Sequence, residues 1–306
     1  MRANPKNMFM LFASVFYTLL VLLPAGARAQ APAQRMLAAA SQARDLDFPK
    51  APSPLPAVPR MGLFKPNGVG PLPALVLHHQ CGGLSRGEWQ NKSMREWAQQ
   101  AVNRGYVVLL LDSLSERDVD TVCAGPKNGV NFPRGVRDAL QGAEHLRKLD
   151  FVDGRRIAHI GFSWGAMVGL LANSRWYQSA LHVGDGFSAH VSFYPGCFAV
   201  TPASGQSFEI VQPDIRRAHL VLMGDKDNET PALECVAKLS DAKAKGSPIE
   251  WKVYPNTTHC WDCENLDRYA KTDMRGNHVV YRYDAKITAD SARRTFEFFD
   301  RTWRGN

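Results

Sequence analysis

The sequence lacks the features that mark integral membrane proteins and nucleic-acid-binding proteins. Beyond residue 29, no apolar run reaches the ~20 residues that a membrane-spanning helix needs. The 306-residue chain carries a net charge of +8, but its basic residues are scattered and never form a run of five. This dispersed excess predicts no nucleic-acid partner and no stable membrane insertion. An internal repeat is also missing.

Metal-binding patterns are equally scarce. Cys260-x-x-Cys263 is accompanied neither by a second pair of this kind nor by a spaced histidine pair. The adjacent His78 and His79 would point to opposite faces of a strand, so they cannot share one metal. Because structural zinc takes four protein ligands, we predict no metal site, and we expect no cofactor.

The N-terminus has the composition of a secretory signal. Arg2 and Lys6 precede an apolar run from Met8 to Leu23, and Ala27-Arg28-Ala29 has the small-x-small form of a cleavage site. We predict a signal peptide over residues 1–29 and export to the periplasm or the medium. The alternative, an uncleaved anchor, is disfavoured because the apolar run is shorter than the ~20 residues of a usual membrane span.

All cysteines lie after the predicted signal peptide. An exported chain of this kind forms disulfides, so we expect most of the cysteines to be oxidised and none to act as a nucleophile. The spacing leaves the pairing open, including whether Cys260 and Cys263 bond to each other. The six cysteines are Cys81, Cys123, Cys197, Cys235, Cys260 and Cys263.

The remaining chain divides into a lead-in and one domain. Residues 30–60, rich in Ala, Pro and Gln, predict an extended lead-in with little structure. Over residues 61–306, apolar strands alternate with amphipathic helices, which predicts an α/β domain with a mostly parallel sheet and helices on both faces. The predicted strands are Ala74–His78, Tyr106–Leu111, Arg156–Ile160, Ala189–Tyr194, Leu220–Met223 and Glu250–Tyr254. The predicted helices are Glu88–Asn103, Arg134–Leu149, Ala166–Ala172, Pro231–Lys245 and Ala289–Trp303.

One pentapeptide has the Gly-x-Ser-x-Gly form of a nucleophile elbow. Gly161-Phe162-Ser163-Trp164-Gly165 lies between a predicted strand and a predicted helix. On so sharp a turn a serine hydroxyl projects above the sheet edge, and the flanking glycines relieve the crowding. The N–H of Trp164 would lie at a helix N-terminus, where it can stabilise an oxyanion. The competing interpretation is a chance match, which the strand and helix around it disfavour.

A base and an acid follow the serine in α/β-hydrolase order. Asp227 comes after one predicted strand and His259 after the next, each at the sheet edge where ligands bind. Asp225 is a second acid candidate that could instead shape the turn. A lone loop histidine is usually a solvated side chain, but three groups in this order favour catalysis.

Other residues are candidates for the oxyanion hole and the substrate cleft. The loop after the strand Ala74–His78 contains Gly82-Gly83 and could supply a second N–H, although simple loop flexibility also explains the glycines. Trp164, Tyr194, Phe198 and Trp261 could line a small aromatic cleft, or could pack elsewhere in the domain. No insertion is long and apolar enough to form a lipase lid, so we expect no large lid domain and compact substrates.

The chain resembles the dienelactone hydrolase family of α/β-hydrolases over about residues 70–303. The motifs that carry the resemblance are Leu77-His78-His79-Gln80-Cys81-Gly82-Gly83-Leu84, Gly105-Tyr106-Val107-Val108 with Asp112-Ser113, Gly161–Gly165, Gly224-Asp225-Lys226-Asp227, Tyr254-Pro255 with His259, and Tyr283-Asp284-Ala285.

The resemblance implies a triad of Ser163, Asp227 and His259, with an oxyanion hole formed by the N–H groups of Cys81 and Trp164. The family's namesake enzymes carry a cysteine nucleophile and an oxyanion-loop glutamate. This chain has Ser163 and Gln80 at those places, so a serine esterase is expected rather than the dienelactone reaction. Gln80, Tyr194 and Trp261 are the candidate substrate contacts.

These observations predict an exported serine hydrolase that cleaves small ester or lactone substrates through an acyl-enzyme intermediate. A peptidase or acyltransferase would use the same triad, since these enzymes differ in leaving group and pocket shape. A non-catalytic binding protein on the same fold is the third hypothesis, disfavoured by the intact triad. The sequence gives no prediction of oligomeric state.

Overall fold

A seven-stranded sheet forms the centre of the computed structural model, which describes residues 25–86, 89–202 and 207–304. The strands are β1 (Gly62–Phe64), β2 (Leu72–His78), β3 (Val107–Leu111), β4 (Val152–Phe162), β5 (Ala189–Phe193), β6 (Ala218–Gly224) and β7 (Ile249–Tyr254). Their spatial order is β1-β3-β2-β4-β5-β6-β7, and all neighbours are parallel except β1, which pairs antiparallel with β3. The mostly parallel sheet matches the prediction.

Helices cover both faces of the sheet. Alternate residues of each strand face opposite layers: Val76 packs with the helices of one face, and Leu75 and Leu77 pack with those of the other. This two-sided burial explains the continuous apolar strands. The helices are α1 (Ala25–Ala40), α2 (Lys92–Asn103), α3 (Phe132–Arg147), α4 (Trp164–Ala172), α5 (Arg175–Leu181), α6 (Ala232–Ala244) and α7 (Ala285–Arg304). Helices α3, α4 and α6 lie on one face, α2 and α7 on the other.

Short hairpins and single turns fill the connections. The predicted helix Glu88–Asn103 begins later, at Lys92, because the side chain of Asn91 accepts a hydrogen bond from Met94 N (3.3 Å) and caps the helix there. The small hairpins are Ser85–Arg86 with Trp89–Gln90, Ala199–Val200 with Phe208–Glu209, and Ala270–Thr272 with His278–Val280; single turns of 3₁₀-helix are Ser115–Arg117 and Glu264–Leu266.

The lead-in is more ordered than the sequence predicts. Residues 25–40 form α1, whereas 41–60 lack regular structure as expected. Alanine has the highest helix propensity, and the alanines of α1 outweigh its one proline, Pro32, because α1 also docks on α3. The buried Arg134 of α3 donates from Nη1 to the carbonyl of Ala40 (3.0 Å) and to Asp45 Oδ1 (2.8 Å). The lead-in is therefore packed against the domain.

The predicted signal peptide falls mostly on residues 1–24, outside the described residues. Among the helices of the described part, none is both long and apolar enough to cross a membrane.

All six cysteines are paired, which confirms the predicted oxidation. The disulfides are Cys81–Cys123, Cys197–Cys235 and Cys260–Cys263, and no cysteine is free. Each disulfide includes a cysteine from a loop that follows a sheet strand: β2, β5 and β7, respectively. The covalent links are therefore concentrated at the carboxyl edge of the sheet.

A row of four fully buried histidines crosses the sheet on the face covered by α4. His159 pairs with His190, and His190 with His219, on adjacent strands, and His78 completes the row on β2. Their ring centroids are 5.7, 5.7 and 5.2 Å apart in sequence order. Helix α4 lies directly over the row: a Cβ at Gly169 would come within 2.7 Å of His159 Nδ1.

Candidate active site

The nucleophile elbow is a tight turn whose backbone contacts require glycine on both sides of Ser163. Ser163 has φ 50° and ψ −111°, a strained backbone between β4 and α4. A Cβ on Gly161 would lie 2.1 Å from Gly165 O, and one on Gly165 would lie 2.4 Å from His78 O. Both positions therefore require glycine, and the turn presses the start of α4 against the loop that follows β2.

Three side chains from separate loops form one hydrogen-bonded chain. His259 Nε2 is 3.1 Å from Ser163 Oγ, and His259 Nδ1 is 2.7 Å from Asp227 Oδ2. All three are buried, with Ser163 7% and His259 2% exposed. The structure thus brings the predicted residues together in the geometry of a nucleophile, a base and an orienting acid.

Asp227 is held rigidly by its own loop. Its Oδ1 accepts the backbone N–H groups of Glu229 (3.0 Å) and Thr230 (2.8 Å), and its Oδ2 accepts the Thr230 hydroxyl (2.8 Å). Thr230 Oγ1 also lies 3.1 Å from His259 Nδ1. Sequence reasoning missed Thr230, although Asp followed three residues later by Thr is a pattern typical of such side-chain-capped turns.

The alternative acid points elsewhere. Asp225 Oδ1 accepts the backbone N–H of Thr257 (3.4 Å), and its own N–H donates to Tyr254 O (3.0 Å). Asp225 therefore joins the loops after β6 and β7, as expected of a residue that shapes the turn.

Carboxylates set the protonation of the base. Burial by itself would lower the pKa of His259, but the adjacent carboxylates of Asp227 and Glu229 more than offset it, so the pKa is raised. A raised pKa favours the imidazolium that forms when the histidine takes the serine proton.

The two candidate oxyanion donors lie on segments in direct contact. Gly165 N, in the first turn of α4, donates to the carbonyl of His79 (3.1 Å), which joins the Trp164 and Cys81 segments. The N–H groups of Cys81 and Trp164 have no acceptor among the described residues. The carbonyl of Cys81 accepts Val122 N (2.9 Å), and the Cys81–Cys123 disulfide fixes the same loop.

Gln80 supports the oxyanion loop from inside. Its Nε2 donates to Tyr194 OH (3.4 Å), and its Oε1 accepts from Asn91 Nδ2. Its amide is thus already engaged with protein groups on both sides.

Tyr194 and Trp261 occupy places that differ from the predicted substrate contacts. Both are 0% exposed, and their rings pack against each other with centroids 4.9 Å apart. Tyr194 lies against the His259 ring (4.5 Å), and its OH donates to Asp262 Oδ1 (2.8 Å). We correct the expectation accordingly: side chains without exposed surface cannot contact a substrate, and these two support the base from behind.

Two further rings also pack within the protein. Trp164 is 5% exposed and stacks on His79 and Phe132, with centroids 5.9 and 6.0 Å apart. Phe198 is half-buried and lies under the guanidinium of Arg275 (5.7 Å). The expected aromatic cleft is therefore not assembled from these rings.

One group of side chains in the described part has donor atoms spaced closely enough for a metal ion: Cys260, Asp262 and Cys263. The two sulfurs are joined in a disulfide, so they offer no thiolate. The Asp262 carboxylate is taken by Trp97 Nε1 (2.7 Å) and Tyr194 OH. The arrangement is a buried structural cluster behind His259.

The chain matches a known protein family and is similar in fold to solved structures. A sequence model described as the dienelactone hydrolase family matches residues 60–303. An alpha/beta hydrolase from a Medee basin deep-sea metagenome library is similar in fold, with a TM-score of 0.56 and 15% identity over 82% of this chain and 97% of that one. These matches confirm the predicted fold class.

Two other solved structures share the fold. One is a dienelactone hydrolase-like promiscuous phosphotriesterase from metagenomic libraries, with a TM-score of 0.53 and 19% identity over 77% of this chain and 88% of that one. The other is a thermophilic esterase of the Planctomycetes species Thermogutta terrifontis, with a TM-score of 0.56 and 13% identity over 78% of this chain and 87% of that one.

Proposed function

Since the chain belongs to the dienelactone hydrolase family of hydrolases that act on ester bonds, we propose that it cleaves small esters or lactones through an acyl-enzyme intermediate on Ser163. The observation that carries the proposal is the hydrogen-bonded chain from Ser163 Oγ through His259 to Asp227, with distances of 3.1 and 2.7 Å.

The proposed reaction has two halves. In the first, Ser163 Oγ attacks the carbonyl carbon while His259 Nε2 takes its proton, and the carbonyl oxygen becomes an oxyanion held by the N–H groups of Cys81 and Trp164. The imidazolium then protonates the leaving oxygen, and the C–O bond breaks. In the second half, His259 deprotonates a water molecule that attacks the acyl carbon; the bond between that carbon and Ser163 Oγ then breaks, the imidazolium returns a proton to Oγ, and the acid is released.

Restricted access supports small substrates. Ser163 is 7% exposed, and the longest segment near the triad, residues 261–277, is mainly polar in sequence. Within the described residues no apolar insertion covers the site. A long acyl chain would therefore find little apolar surface to bury, and interfacial activation is not expected.

Export is part of the proposal. The predicted signal peptide and the pairing of every cysteine support it, because disulfides persist in oxidising compartments. Fractionation of cells that express the full chain, with intact-mass analysis, should find a mature protein that starts near Gln30. Full-length protein retained in the cytoplasm would contradict this part.

Ser163→Ala tests the reaction itself. We expect kcat/KM on p-nitrophenyl acetate to fall at least ~10³-fold, because the nucleophile is lost, while the melting temperature is unchanged. A fluorophosphonate probe should label wild type at Ser163 and leave the variant unlabelled. Ser240→Ala, an exposed change on α6, is the matched control.

The substrate class is tested on the same preparations. p-Nitrophenyl esters from acetyl to palmitoyl, a simple lactone and a peptide are compared by kcat/KM. We expect the short esters or the lactone to lead. A rise toward palmitoyl, or a faster peptide reaction, would contradict the proposed class, and full activity in Ser163→Ala would contradict the mechanism.

A further inference from the structure

A second carboxylate lies beside the catalytic imidazole, on the edge of the ring that faces the serine. Glu229 Oε2 is 4.0 Å from His259 Nε2, the atom that also lies 3.1 Å from Ser163 Oγ. Asp227 binds the other ring nitrogen, Nδ1. Because Asp227 already orients the base, the mechanism above leaves Glu229 without a function.

Glu229 is fixed in place by a neighbouring hairpin. Lys271 Nζ lies 2.7 Å from its Oε1, and Tyr281 OH donates to its Oε2 (2.9 Å). Arg275 Nη2 donates to its backbone carbonyl (2.7 Å). The carboxylate is 14% exposed. It is therefore a fixed charge, largely screened from solvent, and it cannot swing away when the reaction begins.

The other groups around the imidazole do not duplicate this charge. Asp262 lies behind Tyr194, and the two tyrosine rings that flank the imidazole are neutral, since burial raises the pKa of each. Lys271 is a cation bound to the other carboxylate oxygen of Glu229, Oε1, and it partly offsets the effect of Glu229 on the pKa of His259. The charged and titratable groups that face the ring, taken from every element packed on it, are Asp227, Glu229, Lys271, Tyr281, Tyr194, Asp262 and Ser163.

We propose that Glu229 is an electrostatic positioning residue whose fixed charge, 4.0 Å from Nε2, stabilises the imidazolium formed when Ser163 gives its proton to His259. A full opposite charge at this distance favours the protonated ring throughout acylation. The same charge raises the pH at which the enzyme becomes active, because the imidazole must lose its proton before it can act as a base. This inference rests on the proposed function.

Glu229→Gln removes the charge and keeps the side-chain shape. We expect the acid limb of the kcat/KM–pH profile to move down by about one pH unit. On the plateau kcat should fall about three- to tenfold, because the base is weaker and its cation less stabilised. Glu234→Gln is the matched control: it removes a carboxylate that binds Arg275 on the same hairpin (2.8 Å) without facing the imidazole, so neither value should change.

A second readout separates this inference from the proposed function. The His259 imidazole is titrated by NMR in wild type and in Glu229→Gln, with His259→Gln used to assign its signals. We expect a lower pKa in Glu229→Gln whether or not any ester is turned over. If wild type hydrolyses no ester but the pKa of His259 is lower in Glu229→Gln, only the proposed function is wrong. If wild type is active but the pKa of His259 is the same in both proteins, the inference is wrong.

The variant could leave Lys271 without its partner and fold poorly. Glu229→Gln/Lys271→Met removes both charges together, so no ammonium is stranded. Since Glu229 acts more strongly on the ring than Lys271 does, the pKa of His259 should still fall, by less than in the single variant. An unchanged or raised pKa in the double variant would overturn the inference.

Discussion

Single residues at the site act through backbone positions as much as through side chains. Ser163 is held at φ 50° because Gly161 and Gly165 allow backbone atoms within distances that a Cβ would occupy. The Gly-x-Ser-x-Gly spacing predicts this turn because the steric requirement is local. Glu229 was not predictable in the same way, since its partners Lys271 and Tyr281 come from a distant part of the chain. The bonds of Thr230 to Asp227 follow a local pattern, but its contact with His259 depends on the fold.

The two aspartates of the acid loop should differ sharply. Asp227→Asn should lower kcat by up to ~10⁴-fold, because the amide NH2 can donate to Nδ1 and fix the wrong tautomer, and because a neutral amide supplies no charge to stabilise the imidazolium. Asp225→Asn should change kcat less than about tenfold, since its carboxylate faces Thr257. Steady-state kinetics on both variants, with melting curves as the folding control, test this. The reverse ranking would show that the acid is misassigned.

At the scale of elements, each catalytic loop follows its own strand, and disulfides reinforce the loops. Cys81–Cys123 fixes the oxyanion loop, whereas Cys197–Cys235 joins the loop after β5 to α6. The two bridges span similar separations of 42 and 38 residues. Because they close loops of similar length, removing each one in turn separates the effect of a disulfide on stability from its effect on catalysis.

Removing each bridge by paired Cys→Ser substitution should cost about 2–4 kcal/mol of unfolding free energy in both cases, because the loops closed are of similar length. Only loss of Cys81–Cys123 should also lower kcat, by about tenfold or more, since a loose loop misplaces an oxyanion donor. Denaturant unfolding and ester kinetics measure the two effects. An equal loss of kcat in both variants would contradict a specific function for the first bridge.

Element prediction succeeded where the signal was local. Strands such as Val107–Leu111 are apolar throughout because both faces of the sheet are covered. The helical lead-in was missed, since its ordering depends on contact with Arg134 about ninety residues later. The placement of Trp261 in the core was missed for the same reason: a ring beside a catalytic histidine can point either way, and only packing decides.

For the molecule as a whole, the buried histidine row makes stability depend on pH. Burial holds the pKa values of His159 and His219 at about 3, and those of His78 and His190 well below the ordinary value. These four imidazoles bind protons near pH 6.5 in the unfolded chain but not in the folded one. The stability contributed by the row is therefore complete above that pH and is lost as the pH falls toward 3.

At pH 5 the loss is about 2 kcal/mol for each of His159 and His219, a large fraction of the stability of a typical domain, and His78 and His190 act in the same direction. We expect cooperative acid unfolding near this pH. His190→Phe should lower the pH at the midpoint of acid unfolding, because the variant has one group fewer that binds a proton on unfolding. The substitution costs no hydrogen bond, since neither ring nitrogen of His190 has a partner among the described residues. Circular dichroism against pH tests this, with the exposed His278→Gln as control. Equal midpoints in both variants would contradict it.

The docked lead-in decides where the folding unit begins for anyone who wishes to shorten or fuse this protein. The family match starts at residue 60, but Arg134, fully buried, takes two of its partners from Ala40 and Asp45. A chain trimmed to the matched residues would remove these two acceptors of the guanidinium, leaving it Asp138 and Gln141, and would expose the surface under Ala40 and Leu46. A shortened form of the mature protein should therefore keep the chain from near Gln30 onward, because the segment that precedes the family match is part of the minimal stable protein.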